Sequence, residues 1–176
     1  MIDIDLIIKA KKNLSGLIEQ TPTIKSHSLS EICGGNVYLK LESLQQTGSF
    51  KLRGSTNKLL NLTKNEKKRG VVAISTGNHG KGVAHAAKNL GIKATIFMSK
   101  LVPKDRLNAI KNLGATVKVI GNTSDEAEIQ ANNYIKKTKK IMVHPFDDPF
   151  VIAGQGTIGL EMLEQFPKLD TVIVPT

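Results

Sequence analysis

Apolar and polar positions follow two rhythms along this chain. Short β-branched runs recur as VVAIS (71–75), ATIFM (94–98), TVKVI (116–120), IMVH (141–144) and TVIVP (171–175). Between them apolar residues return every three or four positions. Strands buried on both faces read as continuous apolar runs, and the connecting helices read as amphipathic stripes. The rhythm therefore predicts βαβ units, a parallel sheet covered on both faces and an α/β architecture.

Each intervening helix carries its own punctuation. Pro103 opens one at its first turn and Gly114 closes it, with Leu107, Ile110 and Leu113 as the buried stripe. Thr123 and Glu126 have the spacing of a capping box. Asp148 followed by Pro149 starts a helix that runs through Ile158 and Met162. The run TVIVP reads as a further strand, and in an open α/β sheet the loop after a strand holds ligand. The expectation at this end is a fragment, or a chain that needs something else to complete its sheet.

Composition narrows the function classes. With 40% hydrophobic and 23% charged residues in 176, the chain suits an ordinary globular domain, and it holds no apolar run of the roughly 18 residues a membrane span requires. Acidic residues precede lysines in MIDIDLIIKAKKNLSG, the reverse of a secretory signal, so the expected location is cytoplasmic with no membrane partner. The single cysteine, Cys33, has no disulfide partner and no metal-ligand spacing around it; a structural role and no metal are expected. The net charge of +10 sits mainly in KNEKKR (64–69) and KKTKK (136–140), at predicted helix ends where water solvates cations. With two Tyr, five Phe and no Trp, scattered, no stacking platform is visible, and the reading is no nucleic-acid partner.

Two stretches carry candidate chemistry. In TGSFKLRG (47–54), Ser49 reads as an N-cap, which places Lys51 in the first turn of a helix. The dipole disfavours a second positive charge there, so a neutral amine able to form a Schiff base is accessible; the plainer alternative is a surface lysine. In STGNHGKG (75–82), a strand runs into a helix through Gly77 and Gly80. The amides of such a turn form a nest for a carboxylate or phosphate, ringed by Ser75, Thr76, Asn78 and His79. The alternative is a capped turn, with His79 in capping or core packing. A third stretch, GQGTIG (154–159), matches the dinucleotide pattern G-x-G-x-x-G but follows no clean strand and lies in an apparent helix, so its glycines read as tight helix packing.

Taken in order, GSFKLRG, STGNHGKGVAHAAKNLGI, GATVKVIG and FDDPFVIAGQGTIGLEML resemble the serine/threonine dehydratase family, along essentially the whole chain. The resemblance implies a fold-type II, tryptophan-synthase-β-like enzyme dependent on pyridoxal 5'-phosphate. Residues 1–47 would begin a large domain, 48–145 would form a small three-layer α/β domain, and 146–176 would start the second part of the large domain. Lys51 would hold the cofactor as a Schiff base, Phe50 would pack beside its ring and Asn78 would hydrogen-bond its phenolic oxygen. Ser75, Thr76, Gly77, Asn78 and His79 would bind the substrate carboxylate. Catalysis would fall to Lys51 and Thr76, the latter standing where racemases carry a serine acid/base. The implied reaction is β-elimination of a hydroxy-amino acid to a 2-keto acid and ammonia, in a homo-oligomer, dimer or tetramer, of the full-length protein. Serine racemisation, dehydration of another hydroxylated amino acid and a non-catalytic fragment are the alternatives. The family's glycine-rich phosphate loop would follow Thr176.

Overall fold

The computed structural model describes residues 2–75 and 77–174. Helix α1 (Ile4–Leu14) is capped by Asp3, whose carboxylate accepts from the Asp5 amide. A short antiparallel ribbon follows, β1 (Thr23–Lys25) against β2 (Tyr38–Lys40), with α2 (His27–Cys33) between them and a 3-10 turn at Glu42–Leu44 after them. The remaining order is α3 (Lys51–Leu60), α4 (Lys64–Arg69), β3 (Val71–Ile74), α5 (Asn78–Asn89), β4 (Ala94–Met98), α6 (Lys104–Asn112), β5 (Thr116–Val119), α7 (Ser124–Thr138), β6 (Ile141–Met142) and α8 (Pro149–Gln165).

Strands β3 to β6 form the expected parallel sheet, in the order β5-β4-β3-β6. Side chains alternate across it, as a pleated backbone requires. Val71, Ala73, Ile96 and Met98 pack with Val83, Ala87 and Ile110 on the side of α5 and α6, while Val72 and Phe97 pack with Ala131 of α7 on the other. Three layers result, with both sheet faces covered.

Several expectations are corrected in detail. Residues 171–174 of TVIVP form no strand, and Val172, Ile173 and Val174 stand 50%, 90% and 69% exposed. A strand exists only through a ladder partner, and among the described residues none runs alongside. IMVH pairs with β3 only at Ile141 and Met142. Cys33 is exposed rather than structural. Thr123 accepts from the Glu126 amide at 3.2 Å, but the Glu126 carboxylate turns to the Asn122 amide at 2.7 Å, which leaves half a capping box. The full reciprocal box lies at Thr63 and Glu66, at the start of the charged run KNEKKR.

Helix α3 overturns the simplest use of hydrophobicity. It reads KLRGSTNKLL, yet Arg53, Gly54, Ser55, Thr56 and Asn57 are buried along with Leu52 and Leu59. Glycines make this possible. A Cβ on Gly154 would stand 2.6 Å from the Gly54 Cα and 2.7 Å from the Arg53 carbonyl oxygen, so α3 and α8 touch backbone to backbone. The GQGTIG stretch is thus a helix-packing element inside α8, as its context predicts. Two polar groups in the contact are bonded across it: the Gly54 amide donates to Gln155 Oε1 at 3.1 Å and Asn57 Nδ2 to the Phe150 carbonyl at 2.8 Å.

Candidate active site

Lys51 is the first residue of α3, as the sequence places it, but Ser49 does not cap the helix. Phe50 occupies the cap position with helical backbone angles and no side-chain bond, and the Ser49 hydroxyl is buried without a partner among the described residues. The Lys51 ammonium donates to the Pro145 carbonyl at 3.0 Å and lies 4.9 Å from the centroid of the Phe50 ring. Burial pushes its pKa below the ordinary lysine value, because a less hydrated ammonium loses its proton more readily. The direction is the one expected from the helix dipole, but its cause is desolvation.

The second stretch begins at the carboxyl end of β3. Ser75 Oγ accepts from the amides of Gly77 at 3.2 Å and Gly80 at 2.9 Å, fixing the turn into α5. Asn78 and His79 form the first turn of that helix, where amides have no intrahelical acceptor. Theirs meet no acceptor among the described residues. Thr76 lies outside the described residues.

The His79 ring is committed elsewhere. It is 4% exposed, and its Nε2 bonds the Val143 carbonyl at 2.8 Å. A carbonyl can only accept, so Nε2 carries the hydrogen and Nδ1 is left without a partner among the described residues. Burial pulls its pKa down to about 4, with the nearby Lys51 charge adding to the effect. The ring is a neutral core group, while its backbone amide stays at the turn.

Small residues bring the two stretches together. A Cβ on Gly82 would lie 3.0 Å from Ser55 Oγ and 3.1 Å from the Lys51 carbonyl carbon and oxygen, so α5 rides directly on the start of α3. The segment after β6 closes the third side, with Val143 bonded to His79 and Pro145 to Lys51. His144 shapes that segment by accepting from the Asp147 amide at 2.7 Å. A deprotonable amine, an aromatic ring and two open amides thus share one corner at the carboxyl edge of the sheet.

Sequence reasoning missed the ion network beneath this corner. Arg53 is 0% exposed and bonds Glu42 through Nε (2.9 Å) and Nη2 (2.7 Å), and Glu161 through Nη1 (2.6 Å) and Nη2 (2.9 Å). Lys40 adds a bond to Glu161 at 2.7 Å, completing two cations and two carboxylates. Burial raises the Glu161 pKa, but hydrogen bonds from Arg53 and Lys40 outweigh it and hold it below the usual carboxylate value. Burial likewise lowers that of Arg53, and the bonds from Glu42 and Glu161 turn the net shift upward. An arginine inside a helix that has no free polar face is the one sequence signal that points here.

The corner suits pyridoxal phosphate by its chemistry. It offers a lysine of lowered pKa, and the Thr47 and Ser49 hydroxyls just before that lysine are buried without partners among the described residues. Residues 14–176 match a family model described as pyridoxal-phosphate dependent enzyme. The chain is 49% identical over 175 residues to the L-threonine ammonia-lyase of Thermotoga maritima, covering 99% of this chain and 44% of that protein. It is 48% identical over 170 residues to a catabolic L-threonine dehydratase of Staphylococcus aureus, covering 96% and 49%. The serine racemase of Dictyostelium discoideum superposes with a TM-score of 0.90 at 37% identity, over 96% of this chain and 55% of that one. The chain therefore spans about half the length of the relatives it matches. By fold, by site chemistry and by these likenesses, it belongs to the pyridoxal-phosphate-dependent enzymes of fold type II, in the threonine/serine dehydratase and serine racemase group.

Proposed function

We propose that the full-length protein is an ammonia-lyase that removes the β-hydroxyl of L-threonine or L-serine, releasing a 2-keto acid and ammonia. The observation that carries the reading is the Lys51 amine, with its pKa lowered by burial, set beside Phe50 and next to the open amides of Asn78 and His79. Lys51 would hold pyridoxal phosphate, which would supply an electron sink for the substrate Cα proton. Once the substrate's amino group took its place on the cofactor, the freed Lys51 amine would take that proton as a general base, and burial favours its neutral form. The turn from Ser75 to His79 offers amides to the substrate carboxylate, with Ser75 spent on holding the turn. Phe50 flanks the lysine, and Asn78, exposed at the head of α5, is the side chain assigned to the cofactor's ring oxygen.

Thr76 belongs to the same proposal as the residue opposite Lys51, and racemisation of serine is the second reading, favoured by the likeness to a serine racemase. The domain division at 1–47, 48–145 and 146–176, a homo-oligomeric state and a cytoplasmic location complete the proposal. No helix among the described residues is long and apolar enough to cross a membrane.

The test uses full-length protein with pyridoxal phosphate. A visible absorbance band lost in Lys51→Ala, together with 2-keto acid from L-threonine or L-serine, is expected. D-serine formed without keto acid selects racemisation. A band that persists in Lys51→Ala removes that residue from the site.

A further inference from the structure

The topology gathers charge that the sequence scatters. Four segments lead into the four parallel strands: KNEKKRG (64–70) into β3, KNLGIK (88–93) into β4, KNLGA (111–115) into β5 and KKTKK (136–140) into β6. Because the strands are parallel, all four segments lie along the amino edge of the sheet, opposite the edge that carries Ser75 and the Val143–Pro145 segment. Together they hold eleven Lys and Arg and one carboxylate, Glu66. Of the chain's 25 cations and 15 carboxylates this leaves fourteen of each, so the entire net charge of +10 resides on this edge.

These cations are not neutralised within the chain. Among the described residues the ion pairs are made by Lys11, Lys40, Arg53 and Lys58, none of them on this edge. Glu66 is occupied by its capping box, accepting from the Thr63 amide and hydroxyl at 2.8 Å each. Nine of the eleven cations are exposed, and Lys67 and Lys140 are half-buried. Helix dipoles account for a cation or so at each of the four helix ends, not for eleven. Lys139 ends α7 in the left-handed region, φ 56°, where glycine or asparagine is favoured, and the chain carries a lysine there instead.

We infer that this amino edge is a docking surface for the phosphate backbone of a nucleic-acid duplex. Four strands about 4.8 Å apart make an edge roughly 15 Å long. A duplex presents one negative charge per about 1.7 Å of its axis, or about eight to nine over that length. The four segments bear no aromatic side chain to stack on unpaired bases. Their larger apolar residues, Leu90, Ile92 and Leu113, are buried or half-buried, so nothing is presented for insertion into lipid. The rest of the chain carries fourteen Lys and Arg against fourteen Asp and Glu, so a second copy brings no net acidic excess to this edge. The inference rests on the fold and not on the proposed reaction.

Full-length protein is titrated into a fluorescein-labelled duplex and followed by anisotropy between about 50 and 200 mM KCl. With about six phosphate contacts, affinity falls about 10³-fold over that range. The variant Lys68→Gln/Arg69→Gln/Lys136→Gln/Lys137→Gln reduces the log–log salt slope by about 3 to 4, at roughly 0.9 per contact, while Lys9→Gln/Lys12→Gln on α1 leaves it unchanged. Thermal melting checks each variant. If the fourfold variant does not melt as a folded protein, Lys136→Gln/Lys137→Gln reads half the change. No binding at the low salt, a slope indifferent to these substitutions, or tighter binding to phosphatidylserine vesicles than to duplex at equal salt overturns the inference.

Discussion

Replacing Arg53 by methionine tests how the start of α3 is held. The side chain is fully buried and makes four hydrogen bonds to two carboxylates, a fifth to Thr157 Oγ1 at 3.2 Å and a sixth to the Glu19 carbonyl at 3.4 Å. Methionine keeps much of the volume and none of the charge. Glu42 is then left with the Thr21 hydroxyl at 2.6 Å, and Glu161 with Lys40. The side chains of Glu42 and Glu161 are only 14% and 7% exposed, so one buried carboxylate goes without a counter-cation. Breaking such a pair from one side costs about 3–5 kcal/mol. With a urea m-value of about 2 kcal/mol/M, the unfolding midpoint of the full-length protein drops by about 2 M.

The pH dependence follows from the sign of the Glu161 shift. Its folded pKa lies below the ordinary carboxylate value, so its contribution is complete above the unfolded pKa and is lost as pH falls through the folded one. In Arg53→Met burial remains while one of the two compensating cations is gone. The acid-side loss of stability therefore begins at higher pH. Removing Glu161 as well, in Arg53→Met/Glu161→Met, leaves one cation, Lys40, and one carboxylate, Glu42, so the charges balance, and the double variant is less destabilised than the sum of the two singles. A midpoint shift of Arg53→Met no larger than that of the exposed Lys12→Met, or strict additivity in the double variant, refutes the network as an anchor of α3.

Two further outcomes are expected. Because burial lowers the His79 pKa to about 4, the unfolded chain binds its proton first; stability is complete above the unfolded pKa of about 6.5 and falls, by on the order of 3 kcal/mol, as pH drops towards 4. Full-length His79→Asn should show a flatter acid slope in urea titrations, and parallel curves for the two proteins would count against the buried neutral ring. Within GQGTIG, Gly154→Ala forces a Cβ to 2.6 Å from the Gly54 Cα and should destabilise by about 1–3 kcal/mol or more, whereas Gly159→Ala meets nothing within 4 Å and should be neutral or stabilising. Equal melting temperatures for the two variants would remove the close α3–α8 contact.

The parallel sheet, the helix starts at Pro103, Thr123 and Asp148, and the placement of Lys51 and the Ser75–His79 turn at element junctions were all legible in the sequence. They rest on local physics: strand and helix periods, caps, and the glycines of one tight turn. Other features needed the tertiary structure, because they depend on partners far along the chain. Arg53 meets Glu161 across 108 residues, and α3 is buried through glycine contacts that hydrophobic periodicity does not register. TVIVP has a strand's composition, yet pairing rather than composition makes a strand, and among the described residues none pairs with 171–174. Ser49 has a cap's identity but its hydroxyl caps nothing. Charge shows the division most plainly. Along the sequence the lysines form separate solvated runs, and only the parallel order of the strands places them on one edge, where their fields add.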